Sequence, residues 1–146
     1  MKIYIAASWK KSLIVKMVKE ILLGLKQDVF DFTENGFNWP DYDAGESKIG
    51  PQRCFEMDDK ALRAADAVIA IVPAGFSTGV ELGIANEMKK EILVLNLDPD
   101  NFKEVQLEQY HVVAVEVVDY GRKIIDLGKI IGVFIQDCWI KAGSAL

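Results

Sequence analysis

The sequence predicts a three-layer α/β/α sandwich around a mainly parallel five-stranded sheet. Three observations predict it. Short apolar runs, such as Ala67 to Val72, alternate along the chain with longer segments of helical period, the pattern of repeated β-α-β units. The central runs are apolar on both faces, as strands covered by helices on each side must be. The 146 residues contain no internal repeat, low-complexity segment or linker, so a single domain over 1–146 is expected, with a substantial core.

The elements follow in order. Lys2 to Ala7 is a short apolar β run. Lys11 to Lys26 carries Leu13, Ile14, Met17, Val18, Ile21, Leu22 and Leu25 at helical spacing, with lysines and a glutamate opposite. Asp28 to Phe32 reads as a second strand. Thr33 to Gly50 is rich in Gly, Asn, Asp, Pro and aromatics and has no period, so it reads as a long loop of the functional kind. A helix is expected over Gln52 to Ala65, a third strand over Ala67 to Val72, a helix over Gly79 to Lys90 and a fourth strand over Glu91 to Leu97. Asp98-Pro99-Asp100-Asn101 is a turn signal. Val112 to Val118 is the expected fifth strand. Tyr120 to Lys141 has a long helical pattern, with Gly128 or Gly132 as a point of interruption. Right-handed crossovers between such strands give a doubly wound, Rossmann/flavodoxin-like sheet.

Composition excludes several classes. Hydrophobic residues make up 51% and charged residues 27%, and the net charge is −5. That balance speaks against a nucleic-acid polymer as partner, though not against one nucleotide in a local pocket. No apolar run is long enough to span a bilayer, so no membrane partner is expected. The start shows no signal-peptide pattern, which makes the cytoplasm the expected location. Cys54 and Cys138 are too few and unpatterned for a disulfide framework. The single histidine, His111, has no partner at ligand spacing, so no metal is expected.

In a doubly wound sheet the ligand crevice lies beyond the carboxyl ends of the strands. Glu81 falls there, beside glycines and at the start of a predicted helix, where unsatisfied N–H groups and the helix dipole favour an ionised carboxylate. Such a carboxylate can attack an electrophilic carbon; alternatively it only complements the dipole. Asp58, with Asp59 as the register alternative, is a second carboxyl for the same crevice, since transfer at a sugar carbon needs an acid for the leaving group. The structural alternative is a helix cap. Ser8, Lys10, Ser77 and Thr78 are candidates for holding an anion at a helix start, against the alternative of a simple N-cap and a solvated lysine. Tyr4, Trp9, Phe37 and Trp39 can stack on a planar base, although Tyr4 lies within a strand and can equally be core. The run from Gly75 to Gly79 is no P-loop, and no dinucleotide fingerprint is present.

Several segments together resemble the nucleoside 2-deoxyribosyltransferase family, including its deoxynucleoside 5′-monophosphate N-hydrolase-like members. Ile3-Tyr4-Ile5-Ala6-Ala7-Ser8-Trp9 is similar to the family's opening strand and loop. Asp58 to Ala70 resembles its segment of aspartate, helix, alanine-aspartate and strand. Gly79-Val80-Glu81-Leu82-Gly83-Ile84-Ala85 resembles its nucleophile motif, and Lys89 to Leu95 its next strand. The resemblance covers residues 1–10 and 57–97 well and the rest through strand order.

The resemblance implies that Glu81 attacks the anomeric carbon of a 2′-deoxynucleoside, that Asp58 assists departure of the base and that Tyr4 orients the glutamate. It places Ala7, Ser8, Trp9 and Lys10 after the first strand, and Gly75, Ser77, Thr78 and Gly79 after the third, around the substrate. It implies a small-molecule deoxynucleoside or deoxynucleotide as partner, no cofactor, and a homodimer or higher homo-oligomer whose subunits complete one another's pockets. The expected activity is cleavage or exchange of the N-glycosidic bond through a covalent glutamyl-deoxyribosyl intermediate. The alternatives are a non-catalytic nucleotide-sensing module on the same scaffold and a structural protein. This chain also departs from the family. It has Ala6 or Ala7 where a glycine is usual, and no acidic residue between Pro73 and Gly79, which favours a phosphorylated substrate or a different ligand. The 33–50 segment has no family counterpart, and Gln109 to His111 lie near the expected subunit-crossing residues.

Overall fold

The computed structural model describes residues 1–98, 116–119 and 127–144. Its strands are β1 (Lys2–Ala7), β2 (Asp28–Phe30), β3 (Ala67–Val72), β4 (Glu91–Asn96) and β5 (Glu116–Asp119). They form one five-stranded sheet in the order β2-β1-β3-β4-β5, with every neighbouring pair parallel. The helices are α1 (Ser12–Gly24), α2 (Trp39–Asp43), α3 (Pro51–Ala64), α4 (Phe76–Glu87) and α5 (Leu127–Ser144). The order 2-1-3-4-5 reverses direction between β1 and β3, and ligand crevices in such sheets open at the carboxyl ends flanking that point.

Strand alternation sorts the core into two layers. Ile3 and Ile5 of β1, Ile69 and Ile71 of β3, and Leu93 and Leu95 of β4 face α1 and α5, where Val15, Val18, Ile131 and Phe134 meet them. Tyr4 and Ala6, Val68 and Ala70, and Ile92 and Val94 face α3 and α4, where Leu62, Leu82 and Ala85 close the other layer. β3 is buried along its whole length, which is why its sequence carries no polar face. β1 and β3 are aligned at their starts by a reciprocal clamp: Lys2 N–H donates to Asp66 Oδ2 at 2.7 Å, and Asp66 N–H donates to Lys2 O at 2.8 Å.

Several element boundaries differ from the sequence expectation. β2 ends at Phe30 because Asp31 turns to cap a short 3-10 turn, Phe32–Glu34, by accepting from Thr33 N–H at 2.9 Å. The 33–50 segment is not one open loop. It holds that turn and α2, which Asn38 caps by accepting from Asp41 N–H at 2.8 Å. Phe37, Trp39 and Tyr42 then pack on one another with ring centroids 5.2 to 5.8 Å apart. The helical pattern here is too short to show a period, and the aromatic contacts supply the missing stabilisation.

α4 begins at Phe76, three residues before the position read from Gly79, because its first turn lacks the apolar spacing that marks the rest. α5 runs without a break through Gly132. The expected start of that helix at Tyr120, the 112–115 part of the fifth strand, the turn at 99–101 and Gln109 to His111 lie outside the described residues. No described helix is long and apolar enough to cross a membrane.

Candidate active site

A cavity of about 480 Å³ opens at the carboxyl ends of β1 and β3, between α3, α4 and the 33–50 segment. That volume and its largely apolar walls suit a small organic ligand with a few polar anchors. Ala7, Ser8, Trp9 and Lys10 reach it from the chain after β1, and Gly75 and Ser77 from the chain after β3. Glu81 and Asp58 face it from α4 and α3.

Glu81 sits in the second turn of α4, not at its opening as the sequence suggested. The helix dipole is therefore not its dominant influence, because that effect fades within the first turn. Burial dominates instead and pushes the carboxyl up to about 8; the Tyr4 hydroxyl opposes this by hydrogen bonding, and the charge of Asp58 adds to it. Tyr4 projects from β1 beneath the cavity and donates its hydroxyl proton to Glu81 Oε1 at 2.9 Å. The ring is buried and stacked on Phe30, with centroids 5.5 Å apart and planes at 7°. Burial, then the carboxylates of Glu81 and Asp58, raise the phenol so far that it stays a donor throughout the working range of pH. Tyr4 is thus both core and polar anchor. With Oε1 engaged by the phenol, Glu81 has its second oxygen left for the cavity.

Asp58 lies in the interior of α3, whose N-cap is Gly50, so neither Asp58 nor Asp59 caps this helix. The two neighbours point about 100° apart around the helix axis, as 3.6 residues per turn requires. Asp59 also borders the cavity, but it pairs with Arg63, whose Nε donates to both carboxylate oxygens at 3.0 and 2.8 Å, at the more exposed side of the helix. Asp58 instead accepts from Asn35 Nδ2 on Oδ1 at 3.1 Å and from the Cys54 thiol on Oδ2 at 3.4 Å. Burial raises its proton affinity, while these two donors lower it. Two carboxyls of raised proton affinity facing one cavity titrate as a pair and hold one shared proton over an intermediate range of pH.

Two expected substrate residues do not reach the cavity wall. Thr78 is completely buried, and its hydroxyl has no hydrogen-bond partner among the described residues; Gly79 is buried beside it. The earlier start of α4 explains both, since it rotates these positions inward under the helix. Neither Ser77 nor Thr78 is the N-cap, because that position is Gly75, which has no side chain for the first-turn N–H groups. Ala6 packs in the core, and Ala7 carries its methyl group at the cavity edge. Trp9, Phe37 and Trp39 all line the cavity. Asn35 and Cys54 were missed. The one sequence signal for them was the helical i, i+4 spacing of Cys54 and Asp58. Among the described residues, no group of three or more His, Cys, Asp or Glu side chains could hold a metal ion.

No protein-family model matches the sequence, and no curated protein matches it. Solved structures do share its architecture. One is of a 2-deoxyribosyltransferase from the psychrotolerant bacterium Bacillus psychrosaccharolyticus, with a TM-score of 0.61 and 17% identity, covering 88% of this chain and 95% of that one. Another is of a Clostridium botulinum CMP N-glycosidase, with a TM-score of 0.63 and 22% identity, covering 92% of this chain and 99% of that one. At these identities the likeness is one of fold, and it is the parallel α/β fold that the sequence resemblance led one to expect.

Proposed function

We propose that the protein cleaves or exchanges the N-glycosidic bond of a 2′-deoxynucleoside or its 5′-monophosphate, as a member of the nucleoside 2-deoxyribosyltransferase-like family. The observation that carries the reading is the Tyr4–Glu81 hydrogen bond at the cavity floor, with Asp58 facing the same space. The two similar folds, in a 2-deoxyribosyltransferase and a CMP N-glycosidase, support it.

In this mechanism the free oxygen of ionised Glu81 attacks the anomeric carbon. The carbon–nitrogen bond breaks, and its electron pair goes to the base, which takes the proton of Asp58. A deoxyribosyl ester of Glu81 results. The neutral base leaves, and Asp58, now a carboxylate, takes a proton from the water or second base that resolves the ester. Tyr4 holds Glu81 in place throughout. Trp9, Phe37 and Trp39 provide flat apolar surface for the base.

The decisive experiment offers deoxynucleosides, their monophosphates and CMP, each with and without an acceptor base, and follows them by chromatography. Free base without an acceptor identifies a hydrolase, and exchange only with an acceptor identifies a transferase. No reaction across the panel overturns the reading, and tight nucleotide binding without turnover would identify a sensing module.

Ser8 and Lys10 line the cavity from the chain after β1, and Gly75 and Ser77 line it from the start of α4. We assign these residues to the 5′-phosphate, which the helix N-terminus without a side-chain cap and the lysine would both favour. Lys10→Ala is then expected to raise KM for a monophosphate about tenfold, the loss of one exposed charge contact, and to leave KM for the free nucleoside unchanged. Equal effects on both substrates would remove the assignment.

We also assign a homo-oligomer to the working protein. Phe55 and Val80, 61% and 42% exposed, line the cavity from α3 and α4, and Phe76 in the first turn of α4 is 86% exposed. Exposed large apolar side chains beside a cavity suit a contact surface. Light scattering should report a dimer or larger species, and Phe76→Glu with Val80→Glu should return it to monomer. A wild-type monomer at working concentration sinks this assignment.

A further inference from the structure

We propose that Asn35 and Cys54 are positioning residues for Asp58, and that together they place its transferable proton on Oδ2. The inference rests on the reading of Asp58 as the acid that protonates the departing base. Asn35 comes from the segment between β2 and α3 and reaches Asp58 across 23 positions of sequence. Its amide is oriented by the backbone. Phe37 N–H donates to Asn35 Oδ1 at 3.0 Å, a bond that only the carbonyl side of the amide can accept. Nδ2 therefore faces Asp58 Oδ1 at 3.1 Å and Cys54 Sγ at 3.2 Å.

An amide NH2 only donates, so Asp58 Oδ1 has to remain an acceptor whether Asp58 is ionised or not. The proton of the neutral acid belongs on Oδ2. The neighbour of Oδ2 is the Cys54 thiol at 3.4 Å, one helical turn earlier. Burial, then the charge of Asp58, push this thiol up to about 11, so it stays protonated beside the acid. A thiol donates weakly to a carboxylate and accepts weakly from a carboxylic acid, so it tolerates both states of Asp58 without trapping the proton. When that proton passes to the base nitrogen, the new carboxylate keeps the Asn35 N–H on Oδ1. The same amide also ties the acid to the aromatic cluster at the cavity wall, because Phe37 is packed against Trp39 and Tyr42.

The test compares the best natural substrate of the panel with the N-alkylated, cationic form of the same base, which leaves as a neutral molecule without taking a proton. Asn35→Ala is expected to lower kcat on the natural base about 10- to 100-fold and on the cationic base less than about threefold, a part of the usual general-acid contribution. Asn35→Asp retains the acceptor for Phe37 N–H but removes the donor to Asp58, and should show the same split even if Asn35→Ala disturbs the segment. Cys54→Ala should lose less than either, and Cys54→Ser should restore kcat to within about threefold of wild type. Equal loss on both substrates for Asn35→Ala and Asn35→Asp would mean a structural role and would overturn the proposal. If Asp58→Asn itself shows no such split, the acid assignment falls, and this proposal with it. If Asp58→Asn discriminates and the Asn35 variants do not, only the positioning role falls.

Discussion

Glu81→Ala should abolish base release, lowering kcat by about 10³-fold or more, because it removes the carboxylate assigned to form the ester. The protein should remain folded. Glu81→Gln is the sharper variant. Burial raises the proton affinity of Glu81 to about 8, so near neutral pH one proton is shared between Glu81 and Asp58, and glutamine reproduces the protonated form of Glu81 and still accepts from Tyr4. Substrate should bind to Glu81→Gln without turnover. Stability should then separate the two proteins at higher pH. Below the ordinary carboxyl value of 4.5, Glu81 is protonated in folded and unfolded chains alike. Between 4.5 and about 8 the unfolded chain ionises while the folded one keeps its proton, so this group's contribution to stability falls by up to about 1.4 kcal/mol per pH unit. Above that window the contribution is gone. Glu81→Gln lacks this loss, so its Tm should exceed that of wild type increasingly as pH rises toward 8 and beyond. Full turnover by Glu81→Ala would remove the nucleophile from the mechanism. A Tm difference independent of pH would contradict the buried proton.

Asp58→Asn should reduce kcat/KM about 10²- to 10⁴-fold for ordinary bases, the range of a general acid, and should also change the shape of the pH profile. The wild-type cavity needs one proton on the pair. Activity should decline on the acid side, as a second proton neutralises the nucleophile, and on the alkaline side, near 8, as the last proton leaves. Asparagine carries no proton to give and no charge to raise Glu81. The variant's residual activity should therefore rise with pH to a plateau, with its limb below that of the wild-type alkaline decline. Tyr4 and Cys54, the titratable groups hydrogen-bonded to the two carboxyls, are both raised and stay protonated across this range, so they do not imitate the change. A variant that keeps the two-sided profile would show that Asp58 is not the acid.

Much of this molecule was legible before any coordinates. The wholly apolar runs at Ala67–Val72 and, inside the next strand, at 92–95 read as strands covered on both sides, and the parallel sheet follows from what separates them. Glu81 and Asp58 stood out by type and place. Their surroundings were less legible. Phe76, almost fully exposed, disguises the first turn of α4, so the sequence pattern sets Glu81 at the helix opening when it lies one turn in and burial governs it. The same shift turns Thr78 and Gly79 inward under the helix. Asn35 could not be tied to Asp58, because a contact across 23 positions from a segment without period leaves no trace in local spacing. Asp58 and Asp59 were interchangeable as letters. Both border the cavity, and the angle between successive helical side chains gives them different partners: Asn35 and Cys54 for Asp58, and the Arg63 ion pair for Asp59.

The first strand carries one further consequence. Its side chains alternate between the two layers, and only because Tyr4 falls on the even positions does its phenol meet α4. Sliding that strand by a single residue against β3 would send the ring to the opposite side of the sheet and leave the glutamate without its donor. The paired clamp between Lys2 and Asp66, remote from the cavity, sets that parity. An insertion or deletion in the first few residues is thus a change to the reaction centre, even though it touches none of the atoms that react.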